Sequence, residues 1–264
     1  MASMNKGFSL VELAIVLAII GLLVGGVLAG SEMLRNSEVA AVATHFTTYE
    51  SATKQFKDTY GYYPGDFPRA TDIWGTASSC PGTVSTPSTD ETTCDGDGDG
   101  TIEHLATASS QENMRAWQHL SNAGLIDGQF SGVMADTVAT RYRYCIPNLN
   151  CPEGPISKSA FVFQSSGNIA SSNTWRWAGN ANNVITYGRT NLAMDNMDNV
   201  LSPKEALSID LKLDDGKPST GKLRTGKATN CPTTNVLATA EYDVSTSNIE
   251  CNLNLRMSTK LYQN

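Results

Sequence analysis

The sequence predicts an α+β fold with one very long N-terminal helix, a small antiparallel sheet and long disulfide-tied loops. Three observations predict it. An uncharged apolar run fills residues 13–31 and passes without a break into an amphipathic helical pattern that reaches Tyr60. Short runs rich in β-branched and aromatic residues, separated by turn residues, follow much later in the chain. All six cysteines lie beyond the long helix, in segments rich in Gly, Pro, Ser, Thr and Asn.

Length and composition set the frame. The chain has 264 residues, 40% hydrophobic and 17% charged, which suits one domain plus an appendage or two small domains. Its net charge is −7 and it contains no Lys/Arg run. General nucleic-acid binding is therefore not expected, because phosphate contacts need clustered cations.

The first element is the apolar run Leu13–Ser31, LAIVLAIIGLLVGGVLAGS. At about 1.5 Å per residue it spans a hydrocarbon core of roughly 30 Å. Lys6 precedes it and puts the N-terminus on the cytoplasmic side. A secretory signal peptide would have a shorter apolar core and a small-residue cleavage site beyond it. Glu12 is the anomaly. A carboxylate at the edge of an apolar helix is costly there, and that makes it a functional candidate. Beyond the run, Val39, Val42, Phe46, Tyr49, Thr53, Phe56 and Tyr60 recur mostly at alternating spacings of three and four, which marks one buried stripe. The helix is expected from Phe8 to Tyr60, ended by Gly61 and Pro64.

Lys6-Gly7-Phe8-Ser9-Leu10-Val11-Glu12, followed by this apolar helix, resembles the cleavage and methylation motif of type IV prepilins and type II secretion pseudopilins. Gly61-Tyr62-Tyr63-Pro64 resembles the turn that follows the long helix in that superfamily. The resemblance implies a pilin-like fold, with a leader at 1–7, a helix at 8–60 whose 8–31 part is transmembrane, and a periplasmic or extracellular domain at 61–264. It implies that a membrane prepilin peptidase cuts after Gly7 and methylates the new N-terminal Phe8. Glu12 becomes the fifth mature residue and pairs with the amine of a neighbouring subunit. The chain departs from many pilins in having no Pro before Pro64. Gly21, Gly25, Gly26 and Gly30 offer another way to weaken the membrane helix, each by about 1 kcal/mol relative to Ala.

The later elements are read from local signals. Ser109 and Glu112 form a capping-box pattern ahead of a second helix, which Gly124 stops. Strands are expected at Thr140–Ile146, Ser159–Gln164, Val184–Tyr187 and near Glu250–Arg256. A further helix is expected at Pro203–Leu213, with Ser202 and Glu205 as its capping box. The cysteines are even in number and lack CxxC spacing, which argues for disulfides in an oxidising compartment and against zinc. Six cysteines allow 15 pairings. Sequence neighbours suggest Cys80–Cys94, Cys145–Cys151 and Cys231–Cys251.

Asp95-Gly96-Asp97-Gly98-Asp99-Gly100-Thr101-Ile102-Glu103 resembles the start of an EF-hand calcium loop, with alternating carboxylates and Gly at the sixth position. In that register Asp95, Asp97, Asp99, Thr101 and Glu103 are the calcium-ligand candidates. The twelfth position is Ala106 instead of the bidentate Glu, so Glu103 or Glu112 has to supply the missing carboxylate. Asp214-Asp215-Gly216 is a weaker candidate, read as a helix-ending turn. No GxSxG, HExxH or phosphate-cradling loop occurs, and His45, His104 and His119 read as packing or surface residues. Trp74, Trp117, Trp175 and Trp177 read as core or surface aromatics.

The chain is therefore expected to be a non-enzymatic filament subunit. Its partners would be itself or other pilins, the prepilin peptidase and an inner-membrane assembly platform. It would sit in the bacterial inner membrane with its C-terminal domain in the periplasm, and then in a surface pilus or a periplasmic pseudopilus. A type II secretion pseudopilin is one alternative. A single-pass anchored calcium-binding protein or enzyme that does not polymerise is the other.

Overall fold

A computed structural model describes residues 9–77, 80, 91–103, 112–133, 145–164, 183–190, 197–225, 230–234, 236 and 239–257. Helix α1 runs Leu10–Tyr60 as one unbroken element of 51 residues, about 77 Å long at the helical rise. It stays helical through Gly21, Gly25, Gly26 and Gly30. Gly61 ends it at φ 82°, a conformation that costs a glycine least, and donates its N–H to the Lys57 carbonyl at 2.8 Å.

Short helix α2 (Ala70–Trp74) follows, then α3 (Glu112–Asn122) and α4 (Pro203–Leu213). Strands β1 (Ser159–Gln164), β2 (Val184–Arg189), β3 (Leu223–Thr225) and β4 (Leu253–Arg256) form one antiparallel sheet in the order β1-β2-β4-β3. The expected strand at Thr140–Ile146 is corrected in part. Residues 140–144 lie outside the described residues, and Cys145 and Ile146 are not in a strand. The Ile146 carbonyl accepts from the Leu149 amide at 3.0 Å, making a turn closed by the Cys145–Cys151 bridge.

The sheet buries α1 through aromatic contacts. Phe161 on β1 pairs in register with Tyr187 on β2, their rings 4.6 Å apart. Phe46 of α1 meets both, at 5.2 and 6.2 Å. Two residues along β1, Phe163 lies tilted against Trp117 of α3 at 4.4 Å, and Trp117 also meets Tyr49 of α1 at 5.0 Å. Alternate strand residues thus serve the same face, as the period of a strand requires. On α1 the expected stripe is buried at Val39, Val42, Phe46, Tyr49, Thr53 and Phe56, while Tyr60 is half-buried.

A second contact joins α1 to α4. Ser202 and Glu205 form the expected capping box, with the Ser202 amide donating to Glu205 Oε2 at 2.8 Å. The same carboxylate takes Arg35 in a two-point grip, Nε to Oε1 at 2.6 Å and Nη2 to Oε2 at 3.0 Å. Arg35 Nη2 also donates to the Val200 carbonyl at 3.0 Å. Burial pushes the Glu205 carboxyl up, but the Arg35 and Ser202 hydrogen bonds outweigh it and hold the group below its ordinary value.

All three disulfides join the cysteines suggested by sequence proximity, with Cα separations of 5.5 Å for Cys80–Cys94 and Cys145–Cys151 and 5.2 Å for Cys231–Cys251.

His119 of α3 is fully buried. Its Nδ1 accepts the Gly65 amide at 2.9 Å, so the neutral ring carries its proton on Nε2, which lies 3.0 Å from Thr93 Oγ1. A second proton would set Nδ1–H against Gly65 N–H. Burial first, and the Arg115 charge next, push its pKa down to about 3.

Two outcomes are expected. Trp117→Ala should cost about 3–5 kcal/mol in chemical denaturation, the usual range for deleting a buried aromatic. His119 is a base whose folded pKa is depressed, so the unfolded chain binds the extra proton first. Its contribution is whole above about pH 6.5 and declines as pH falls toward 3. The stability advantage of wild type over His119→Asn should shrink across that window in denaturation at stepped pH.

Candidate functional site

The N-terminal part of α1 is the first site. Between Leu10 and Leu34, fifteen large apolar side chains stand from 49% to 86% exposed. Nothing in the described fold covers them, and the helix is long and apolar enough to cross a membrane. Four glycines lie on this segment, and a Cβ added at Gly21, Gly25, Gly26 or Gly30 would meet no atom within 4 Å. The folded chain therefore does not need them for its own packing.

Glu12 has a defined role at the helix start. Ser9 is the N-cap, its Oγ accepting the Glu12 amide at 3.2 Å, and Glu12 Oε2 accepts the Ser9 amide at 2.8 Å. The carboxylate thereby satisfies one of the orphan amides at the helix start and favours the positive end of the helix dipole. Gly7 and Phe8, the processing residues, lie outside the described residues.

The second site is a group of carboxylates below the C-terminal end of α1. One oxygen from each of Asp66, Asp97 and Asp99 lies within 4.8 Å of the others, and the same holds for Asp97, Glu103 and Glu112. Three chain segments supply them. Asp66 comes from the turn between α1 and α2, the three middle residues from the acidic loop, and Glu112 from the first turn of α3.

Backbone contacts fix that loop. Gly96 donates to the Phe67 carbonyl at 2.9 Å and runs so close to the Gly65 and Asp66 backbone that a Cβ would not fit. Gly100 donates to Asp66 Oδ2 at 2.9 Å. Asn183, the residue before β2, accepts the Ile102 amide at 2.6 Å and donates to the Gly100 carbonyl at 2.8 Å. Glu112 accepts the Asp97 amide on Oε1 at 3.0 Å and the Glu103 amide on Oε2 at 3.1 Å.

The alternating motif groups Asp95, Asp97, Asp99, Thr101 and Glu103 as ligand candidates. In the structure Asp97 lies with Asp99 in one group and with Glu103 in the other, and Asp95 is turned away. Its two oxygens accept the amide and hydroxyl of Thr71, at 2.8 and 3.0 Å. The Thr101 amide donates to Asp99 Oδ1 at 2.7 Å. Asp66 was missed. It stands outside the alternating motif, and no local pattern links it to a loop some thirty residues on. Glu112 was noted as a spare carboxylate and is part of the group. His104, Trp175 and Trp177 lie outside the described residues.

Crowding of like charge in a buried place shifts these groups. Burial first, and then the charges of Asp99 and Asp97, push Asp66 up to about 7 against the pull of its backbone hydrogen bonds. Burial pushes Glu112 up to about 8, with Asp66 adding to it. Burial also raises Glu103. Asp214 and Asp215 behave as the expected helix-ending turn. Asp214 accepts the Lys222 and Leu223 amides, and Asp215 accepts Lys217 N–H and the Thr220 hydroxyl.

Residues 2–28 match the family model of the prokaryotic N-terminal methylation motif. The match spans Gly7, Phe8, Glu12 and most of the exposed apolar segment. Searches of curated proteins and of solved structures each return no match.

Proposed function

We propose that the chain is a structural subunit of a type IV pilus-like filament, cut after Gly7 by a prepilin peptidase, methylated on Phe8 and assembled through α1. The observation that carries this reading is the methylation-motif match at residues 2–28, set on a helix whose apolar half has no cover within its own fold. Before assembly the bilayer covers that half. In the filament, neighbouring copies of the same helix replace the lipid.

Physical chemistry gives Glu12 its task in this reading. Cutting after Gly7 leaves a cationic amine on Phe8, next to the Ser9 amide that Glu12 already accepts. Inside a dry helical bundle an uncompensated carboxylate is expensive, and a hydrogen-bonded ion pair relieves that cost. A neighbour's Phe8 amine meets the requirement and fixes the axial offset between subunits. The four glycines weaken the helix where the bundle forms, so that the backbone can yield locally on assembly. A type II secretion pseudopilin shares this N-terminal chemistry. The same reading puts the subunit in the inner membrane with Lys6 on the cytoplasmic face, and assigns it no catalytic residues.

Mass spectrometry of the mature protein should find N-methyl-Phe8 at its N-terminus. Retention of residues 1–7 in cells that hold an active prepilin peptidase would overturn the reading. Glu12→Ala should reduce sheared or isolated filaments at least about tenfold while the membrane pool persists, since the variant removes the buried ion pair's acid partner. Assembly at the wild-type level would count equally against it.

A further inference from the structure

We propose that Asp66, Asp97, Asp99, Glu103 and Glu112 form a calcium site that fastens the turn after α1 to the acidic loop and to the start of α3. The site stands apart from the assembly helix and does not depend on filament formation.

Position is the first ground. Asp97 belongs to both close-set carboxylate groups and links them. Hydrogen bonding is the second and independent ground. Asp66 is fully buried, and its Oδ1 has no hydrogen-bond partner. A buried oxygen of that kind is expensive unless something cationic meets it. Glu103 Oε2 is likewise shielded from water and without a partner. These two oxygens come from opposite ends of the group.

Among the described residues no ion pair joins any of the five carboxylates to a Lys or Arg. The charge of Arg115 acts on Glu112, but its Nη1 donates to the Asp95 carbonyl at 3.1 Å and its Nε and Nη2 reach no carboxylate within hydrogen-bond distance.

Donor chemistry selects the ion. All five side chains offer hard oxygen and none offers nitrogen or sulfur, which excludes zinc and copper preferences. Magnesium prefers a small octahedral shell with several waters retained. Calcium accepts six to eight oxygens and bidentate carboxylates, which a crowded set of five can supply. Glu112 holds the loop through the Asp97 and Glu103 amides and keeps lone pairs free on both oxygens. The resulting site is not an EF-hand. Asp95 is occupied by Thr71, and the part of the absent twelfth-position Glu is taken by residues outside the loop, Asp66 before it and Glu112 after it.

The test uses the full-length chain in detergent, stripped with chelator and titrated calorimetrically with calcium or magnesium chloride. One calcium per chain is expected, with the melting temperature rising by about 5 °C or more at saturating calcium and much less with magnesium. Asp66→Asn should weaken calcium binding at least about tenfold, and Asp95→Asn should leave it within about threefold. Absence of calcium binding by the wild type up to millimolar concentration would overturn the proposal, as would equal affinity for magnesium. An Asp95→Asn loss as large as that of Asp66→Asn would overturn it in favour of the EF-hand register. Should circular dichroism show Asp66→Asn unfolded, the exposed Asp99→Asn carries the same tenfold expectation, and wild-type affinity there would defeat the proposal.

Discussion

Helix α1 faces two solvents, and the packing of Phe46 against Phe161 and Tyr187 is where the two demands are reconciled. From Leu10 to Leu34 every large apolar side chain is exposed, and from Val39 onward one stripe is buried in the domain. Most helical stability in a folded protein comes from packing, so the second half of α1 depends on the amphipathic face that it buries. The aromatic stripe therefore anchors more than the core. It carries the unpartnered apolar segment and holds its direction relative to the sheet. If that packing failed, the chain would expose the stripe together with the apolar segment, a liability for any soluble or periplasmic domain.

The acidic loop represents the opposite strategy. Like charges at close range repel, and burial removes the water that would screen them. At Asp66 and Glu112 the fold offsets this with backbone amides from Gly100, Asp97 and Glu103 that point at the carboxylates. Around them the chain is held by devices that do not depend on charge. The Cys80–Cys94 bridge fixes one end of the loop, Asn183 pins its middle, and His119 ties α3 to the Gly65 turn. Stiff surroundings keep the carboxylates together where a free loop would let them separate.

What could be read from sequence was what local chemistry controls. The stripe of α1, its glycine stop, and the Ser202–Glu205 cap with Pro203 behind it are short-range signals, and the structure shows each of them. Strand β1 was equally plain, because Ser159–Gln164 concentrates bulky residues between turns. Strand β3 escaped because three residues carry no period, and it exists only because β4 pairs with it. Helix α2 is a single turn and left no amphipathic trace. Glu112 read as half of a capping box with Ser109, which lies outside the described residues, and its carboxylate also reaches across to the acidic loop. Asp66 was invisible for a similar reason. Its meaning depends on which loop the tertiary fold lays over it, and nothing in Gly65-Asp66-Phe67 announces that.

The Arg35–Glu205 grip has a mechanical consequence. It sits where α1 leaves the domain, between the uncovered segment and the buried stripe. A pull on the N-terminal half is first resisted there, and passes through Glu205 into the cap of α4. From Leu201, next to that cap, the load crosses a β-bridge to Cys251, which the disulfide ties covalently to Cys231. Cys251 in turn leads directly into β4, which is bonded on both edges. Tension is thus spread sideways over several strands at once instead of peeling one from an edge. The shaft and the head of this molecule should yield together under load, as one strut.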